Sequence, residues 1–297
     1  DSNKYAFYSY STSLMLGNSD YYNKSTEQGK KIEAATTDYL NKMLVLAGYS
    51  KEEAAQKVND VFKFEKMMAS DILGQEEITK TSNIYEKLYN VYTLDQLDKL
   101  TPHFKLKEKI NAACNGKVKQ VIVTEPKWLE TFDKLYTEEN VELMKNYMEV
   151  YFYCNTVGCL SDEFGDIAKE YTQMMTGAQG SISDEQQAME VVNNVFSDEI
   201  GRLYAEKYFS KEAKDDVTEL VEQVIAAYKK KLETTEWMSP ETKAVAIKKL
   251  DNIRIKVGYP DKWSDYSAVE FKSYEEGGSL FENVMTLTKL SNKKALE

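Results

Sequence analysis

Seven apolar residues, Val217, Leu220, Val221, Val224, Ile225, Tyr228 and Leu232, recur every three or four positions. That spacing gathers them on one face of an α-helix and would scatter them over both faces of a strand. The same grammar governs most of the chain. Ile32, Ala35, Thr36, Tyr39, Leu40, Met43, Leu44 and Ala47 repeat it, and Gly48 follows as a left-handed stop. Ser50 and Glu53 then form a capping box for a helix with Ala54, Val58, Val61, Phe62 and Glu65 on one side. The two helices read as an αα-hairpin with a very short connection. Thr93 with Gln96 fits another capping box, and Ser183 with Gln186 a third, ahead of Met189, Val192 and Phe196. Breakers are few, with 4 Pro and 13 Gly in 297 residues. The expected fold is mainly α, a multi-helix lobe with few short strands, with helix above half of all residues.

Two stretches, "NAACNGK" and "TGAQGSIS", read as loops, and "KQVIVTE" as a short strand or the approach to a helix. The sharpest change of period lies in "EWMSPETKAVAIKKLDNIRIKVGYPDKW", Glu236 to Trp263. Ser239 is a good N-cap, Pro240 suits the first helical position and Glu241 suits the positive end of a helix. After Leu250, Ile253, Ile255, Val257 and Tyr259 alternate with Arg254, Lys256 and Gly258, which predicts a strand with one apolar face, ended by Pro260. Trp237 and Trp263 are expected to be buried. Gly258 is expected to meet a backbone or packing need that a side chain would upset.

Chemistry is scarce. The length allows one large or two ordinary domains. The net charge is −11, with acids and bases mixed along the chain. That disfavours nucleic acid and anionic membranes, which call for clustered Lys and Arg. No apolar run is long enough to span a bilayer, and no signal peptide pattern is visible. The three cysteines, Cys114, Cys154 and Cys159, give no disulfide framework and no plausible zinc site; Cys154 and Cys159 read as buried small side chains. The one histidine, His103, lies in "TPHFKLKEK" and reads as a surface or half-buried loop residue. A zinc hydrolase needs more than one histidine, and a serine or cysteine hydrolase needs a histidine beside its nucleophile. The acid pairs Glu138-Glu139, Asp162-Glu163, Asp184-Glu185 and Asp198-Glu199 mostly follow Ser or Thr at helix starts, where they favour the helix dipole. Asp215-Asp216 is a fifth pair. "GAQG" lacks a third glycine and a preceding strand, and no Walker sequence occurs. No residue therefore receives a catalytic, cofactor-binding or metal role.

The stretch from Trp237 to Trp263 nevertheless resembles the neprilysin family of zinc metallopeptidases. The matching residues are Trp237-Met238, Glu241-Thr242-Lys243, Ala246-Ile247-Lys248-Lys249-Leu250 and Gly258-Tyr259-Pro260-Asp261-Lys262-Trp263. "SLMLGNSDYY" (Ser13 to Tyr22), "YNVYTLDQLDKLTP" (Tyr89 to Pro102) and "GRLYAEKYF" (Gly201 to Phe209) are similar to further segments of that family, in the same order. The family's His-Glu-x-x-His helix, its later zinc-binding Glu and its substrate-binding Asn-Ala segment have no counterpart here. The resemblance thus implies an internal piece of a larger zinc endopeptidase, with zinc in the parent and none in this chain. Residues 1–235 would form a helical lobe, and 236–297 a helix-strand join leading towards a catalytic lobe. The implied role is to enclose the active-site chamber and limit the size of peptide substrates. The implied partners are the catalytic lobe and peptides, without nucleic acid or membrane contact. The chain alone would be inactive. The resemblance favours a cell-surface or secreted setting, with a cytoplasmic one as the alternative. Two rival readings are an independent helical binding or scaffold module, and a glycosidase-like helical domain with two acids in one cleft.

Overall fold

The computed structural model describes residues 6–178, 180, 182–267 and 269–296. In chain order the elements are β1 (Phe7–Ser9), α1 (Asp20–Asn23), α2 (Glu27–Leu46), α3 (Lys51–Ala69), α4 (Gln75–Lys80), α5 (Ile84–Lys87), β2 (Asn90–Thr93), α6 (Leu94–Leu100), α7 (Leu106–Ala113), β3 (Gln120–Val123), α8 (Pro126–Leu135), α9 (Val141–Thr156), α10 (Asp162–Thr176), α11 (Asp184–Val195), α12 (Ser197–Tyr208), α13 (Lys211–Glu233), α14 (Pro240–Asp251) and α15 (Leu280–Leu296). The described residues are 66% helical, mainly α as the periodicity predicts. The described residues fall into two compact units, 182–278, and 6–180 together with 279–296.

The larger unit is built around α3. Ser50 accepts from the Glu53 amide and Glu53 accepts from the Ser50 amide, the reciprocal box that starts the helix. Gly48, at φ +103°, turns the chain out of α2 into it, a backbone that a side chain would strain. Ala54, Val58 and Val61 of α3 pack with Tyr39, Leu40, Met43 and Leu44 of α2 and Val150 of α9. One turn further on, Phe64 and Met68 face a second cluster with Leu97, Ile110, Val121, Val123, Trp128 and Leu129. Phe62 is only half-buried, and Phe64 takes the core position.

The second cluster rests on a three-stranded sheet ordered β1-β3-β2. "KQVIVTE" supplies the central strand. β1 runs parallel to it and β2 antiparallel, with Tyr8 and Val91 both opposite Ile122. Thr93 ends β2 and caps α6 through its box with Gln96. The "SLMLGNSDYY" segment is an anchor. The Ser19 hydroxyl donates to Ile72 O (2.9 Å), the Glu76 amide donates to Asp20 Oδ2 (3.1 Å), and the Tyr22 hydroxyl donates to Glu65. In α15, Leu287 is buried and Phe281 meets Phe152 edge-on at 5.8 Å.

The 182–278 unit is different in kind. Its helices begin as the sequence predicts: Ser183 and Gln186 form the box of α11, and Ser239 caps α14 with Pro240 in its first turn. Yet Ala205 is its one buried residue among those described. The stripe of α13 stays open, with Leu220 59% and Tyr228 62% exposed. The strand predicted over Ile253–Tyr259 does not form. Ile253 is exposed, but from there on the alternation holds: Ile255, Val257 and Tyr259 are half-buried while Arg254, Lys256 and Gly258 are exposed. A strand also needs a neighbour to bond its backbone, and none of the described residues pairs with this segment.

Candidate functional site

The join around Gly258 is the most built feature of the 182–278 unit. Gly258 has φ +65°, and a Cβ placed there would lie 2.4 Å from Phe209 Cε1. Conformation and space both demand glycine. The sharp turn lays Tyr259 edge-on against Phe209 at 6.2 Å and stacks it on Trp263 at 5.8 Å. Lys214 sits over the Tyr259 ring at 4.5 Å and donates to Tyr259 O (2.8 Å) and Asp261 Oδ1 (2.7 Å). That ammonium holds the Asp261 carboxyl below its ordinary value. Ser264 donates to Asp198 at the start of α12. Gly201 lies beneath the Trp263 ring, 3.8 Å from where its Cβ would be. The "GRLYAEKYF" and "GYPDKW" segments thus pack on each other. Together they wall a shallow cleft of about 550 Å³ bounded by Gly201, Tyr204, Phe209, Tyr259, Pro260 and Trp263.

The two tryptophans part company. Trp263 is half-buried in this cluster. Trp237 is 83% exposed in the turn between α13 and α14, contrary to its expected burial. The helix that follows is set by Ser239 and Pro240, and none of the described residues closes over the indole.

The cleft holds no reacting set. Asp198 is the one carboxylate among its described lining residues, so it lacks the facing acid a glycosidase requires. The other acid pairs are spread over different elements. Glu138-Glu139 lies in a short 3-10 turn, Asp162-Glu163 and Asp184-Glu185 in the first turns of α10 and α11, and Asp215-Asp216 within α13. His103 is a surface loop residue whose Nδ1 lies 2.8 Å from Oδ2 of the buried Asp133. Asp133 Oδ1 also accepts the His103 and Phe104 amides, at 3.0 and 2.7 Å. The pair therefore fixes the turn into α7, a role that spacing alone did not reveal. Cys114 is buried, but Cys154, on α9, and Cys159, in the 3-10 turn that follows it, are only half-buried, contrary to their expected burial. Burial pushes the Cys154 thiol up to about 11. Among the described residues, no three His, Cys, Asp or Glu side chains converge on a point that could hold a metal ion. These donors do not fit a catalytic zinc, which takes three protein ligands and keeps a fourth position open. No described helix is long and apolar enough to cross a membrane.

Residues 1–260 match the N-terminal model of peptidase family M13. The chain belongs to peptidase family M13. It is 27% identical over 274 residues to the neutral endopeptidase of Lactobacillus helveticus, covering 92% of this chain and 41% of that protein. It is 25% identical over 259 residues to neprilysin-3 of Drosophila melanogaster, covering 84% of this chain and 32% of that one. The crystal structure of PepO from Lactobacillus rhamnosis HN001 superposes with a TM-score of 0.83 over 98% of this chain and 45% of that one, at 22% identity, a likeness of fold. The chain therefore spans less than half the length of these relatives. The neprilysin-type resemblance of the Trp237–Trp263 stretch is that of an M13 metallopeptidase N-terminal region.

Proposed function

We propose that this chain is the non-catalytic helical region of a zinc-dependent endopeptidase, and that it walls the chamber in which a separate catalytic lobe cleaves peptides. Residues 1–235 form the helical lobe in this reading, and 236–297 the join towards the catalytic lobe. Peptides are the substrates and the catalytic lobe of the same parent is the partner. The zinc belongs to that lobe, so no catalytic step is assigned to the residues of this chain. A wall that closes over the active site admits flexible peptides and rejects folded proteins, which sets the substrate size.

The observation that carries the reading is the open apolar face of the 182–278 unit. Leu220, Val224 and Tyr228 of α13 are exposed together with Leu203, Tyr204 and Tyr208 of α12. A regular apolar stripe left open along a helix is the kind of face that an interaction partner covers. Relatives more than twice as long as this chain supply the candidate cover. An independent scaffold module would leave the same face to another protein.

The test is a peptide-length series on the parent enzyme and on this chain alone. The parent is expected to cleave short peptides in a chelator-sensitive manner and to spare folded proteins, while this chain shows no turnover. Cleavage of folded proteins at a comparable rate removes the chamber reading. Peptide hydrolysis by this chain alone removes the assignment of catalysis to another lobe.

A further inference from the structure

A second feature lies in the larger unit, away from the join. Glu65 sits on α3 between the two core clusters and is 0% exposed. Its Oε1 accepts the Met15 amide at 3.0 Å, and its Oε2 accepts the Tyr22 hydroxyl, whose oxygen in turn accepts the Leu16 amide at 3.2 Å. The Tyr151 hydroxyl of α9 lies 3.2 Å from Glu65 Oε1 and also against Ser13 O. Thr12 Oγ1 and the Tyr147 hydroxyl complete the set at 2.5 Å. The segment from Thr12 to Tyr22 is thus fastened to α3 and α9 through one acid and three tyrosines.

A count of hydrogens shows that the set has two states. Tyr151 has a single hydroxyl hydrogen and faces three acceptors, Ser13 O, Glu65 Oε1 and the Tyr147 hydroxyl. If Glu65 is ionised, the hydrogen is drawn to the carboxylate, and Ser13 O keeps only the Thr12 hydroxyl at 3.3 Å. If Glu65 carries a proton on Oε1, it donates to the Tyr151 oxygen, and Tyr151 is free to donate to Ser13 O. The bond from Tyr151 to Ser13 O, which ties α9 to the segment, is made in this state alone.

We propose that Glu65 is a proton-operated latch on residues 12–22: neutral Glu65 lets Tyr151 hold the Ser13 carbonyl, and ionised Glu65 takes that hydrogen and releases it. Among the described residues, no cationic group nearby offsets a negative charge. Tyr22 faces Glu65 from the segment, and Tyr147, Tyr151 and Cys154 from α9. Lys57, on the same helix as Glu65, is committed to Glu149 at 2.7 Å and to Asn146 at 2.9 Å. No ion pair of Glu65 occurs among the described residues. Burial raises the carboxyl to about 7, against the hydrogen bonds from Tyr22, Met15 and Tyr151. Burial also lifts the Tyr22 and Tyr151 hydroxyls well above their ordinary value, so they stay protonated throughout this range. The switch therefore falls near neutral pH.

The experiment is a carbon NMR titration of the 297-residue chain from pH 4 to 9, following Glu65 Cδ and the Ser13 carbonyl carbon. The two signals are expected to move with one midpoint, between about pH 6 and 8. Glu65→Gln should hold the Ser13 signal still. Tyr151→Phe should hold it still while Glu65 continues to titrate. A Glu65 midpoint near the ordinary value, or a Ser13 signal that ignores the Glu65 titration, overturns the latch. The wild-type titration alone decides the matter if either variant fails to fold.

Discussion

The two units of this protein use the same helical grammar and reach opposite ends. In residues 6–180, the stripes of α2 and α3 meet each other and α9, and Leu40, Met43, Leu44, Val58 and Phe64 are almost wholly buried. In residues 182–278, α13 carries an equally regular stripe, yet it contributes no buried residue. Periodicity therefore tells which face of a helix is apolar, but not whether this chain supplies the surface that covers it. The first unit has its core within itself. The second is organised by one turn, at Gly258, and offers its remaining apolar face outward.

The largest test of this contrast is Phe64→Ala. Phe64 is 1% exposed, and its truncation should cost about 3–5 kcal/mol, read as a lowered denaturation midpoint of the larger unit. A loss below about 1 kcal/mol would mean that the α3 core is not the main support.

The next effect is on pH. The Glu65 carboxyl stands at about 7 in the folded chain, above its ordinary 4.5. Its contribution is therefore complete below the ordinary value and is lost as pH rises through about 7. The larger unit should lose about 2–3 kcal/mol between pH 4.5 and 8, and Glu65→Gln should flatten that slope. A wild-type curve that rises across this window contradicts the assignment.

Gly258→Ala comes third, at about 1–3 kcal/mol, since alanine there is strained at φ +65° and presses on Phe209. Its effect should be confined to the 182–278 unit, which limited proteolysis resolves from the other. The smallest effects belong to Leu220→Ala and Trp237→Ala, each within about 0.5 kcal/mol of the wild type in this chain. A drop of 3 kcal/mol or more (roughly the cost of emptying a core site) in either variant would show that these side chains already pack here.

Much of the fold was legible because it is local. The boxes Ser50–Glu53, Thr93–Gln96 and Ser183–Gln186, the Ser239 cap and the left-handed Gly48 each need only a few residues to form. The parallel pairing of β1 with β3 joins residues more than 100 positions apart, as in Phe7 opposite Val121, and no short pattern announces it. The Ile253–Tyr259 segment failed for a related reason, since alternation specifies a face and not a partner. The exposed Trp237 shows the same limit. Glu65 was visible as an acid on an apolar face, but its role depends on Tyr22 and Tyr151, which come from distant elements. For the functional region, the Gly-Tyr-Pro turn was legible and its packing on Phe209 was not.

The central claim is that the stripe of α13 is a face built to be covered. Hydrogen exchange over residues 211–233 tests it most directly, measured in this chain and in the full-length parent. The account expects weak protection in this chain compared with α3, and a gain of at least about tenfold in the parent. Equal protection of these amides in the two proteins, or protection in this chain already matching that of α3, would contradict it.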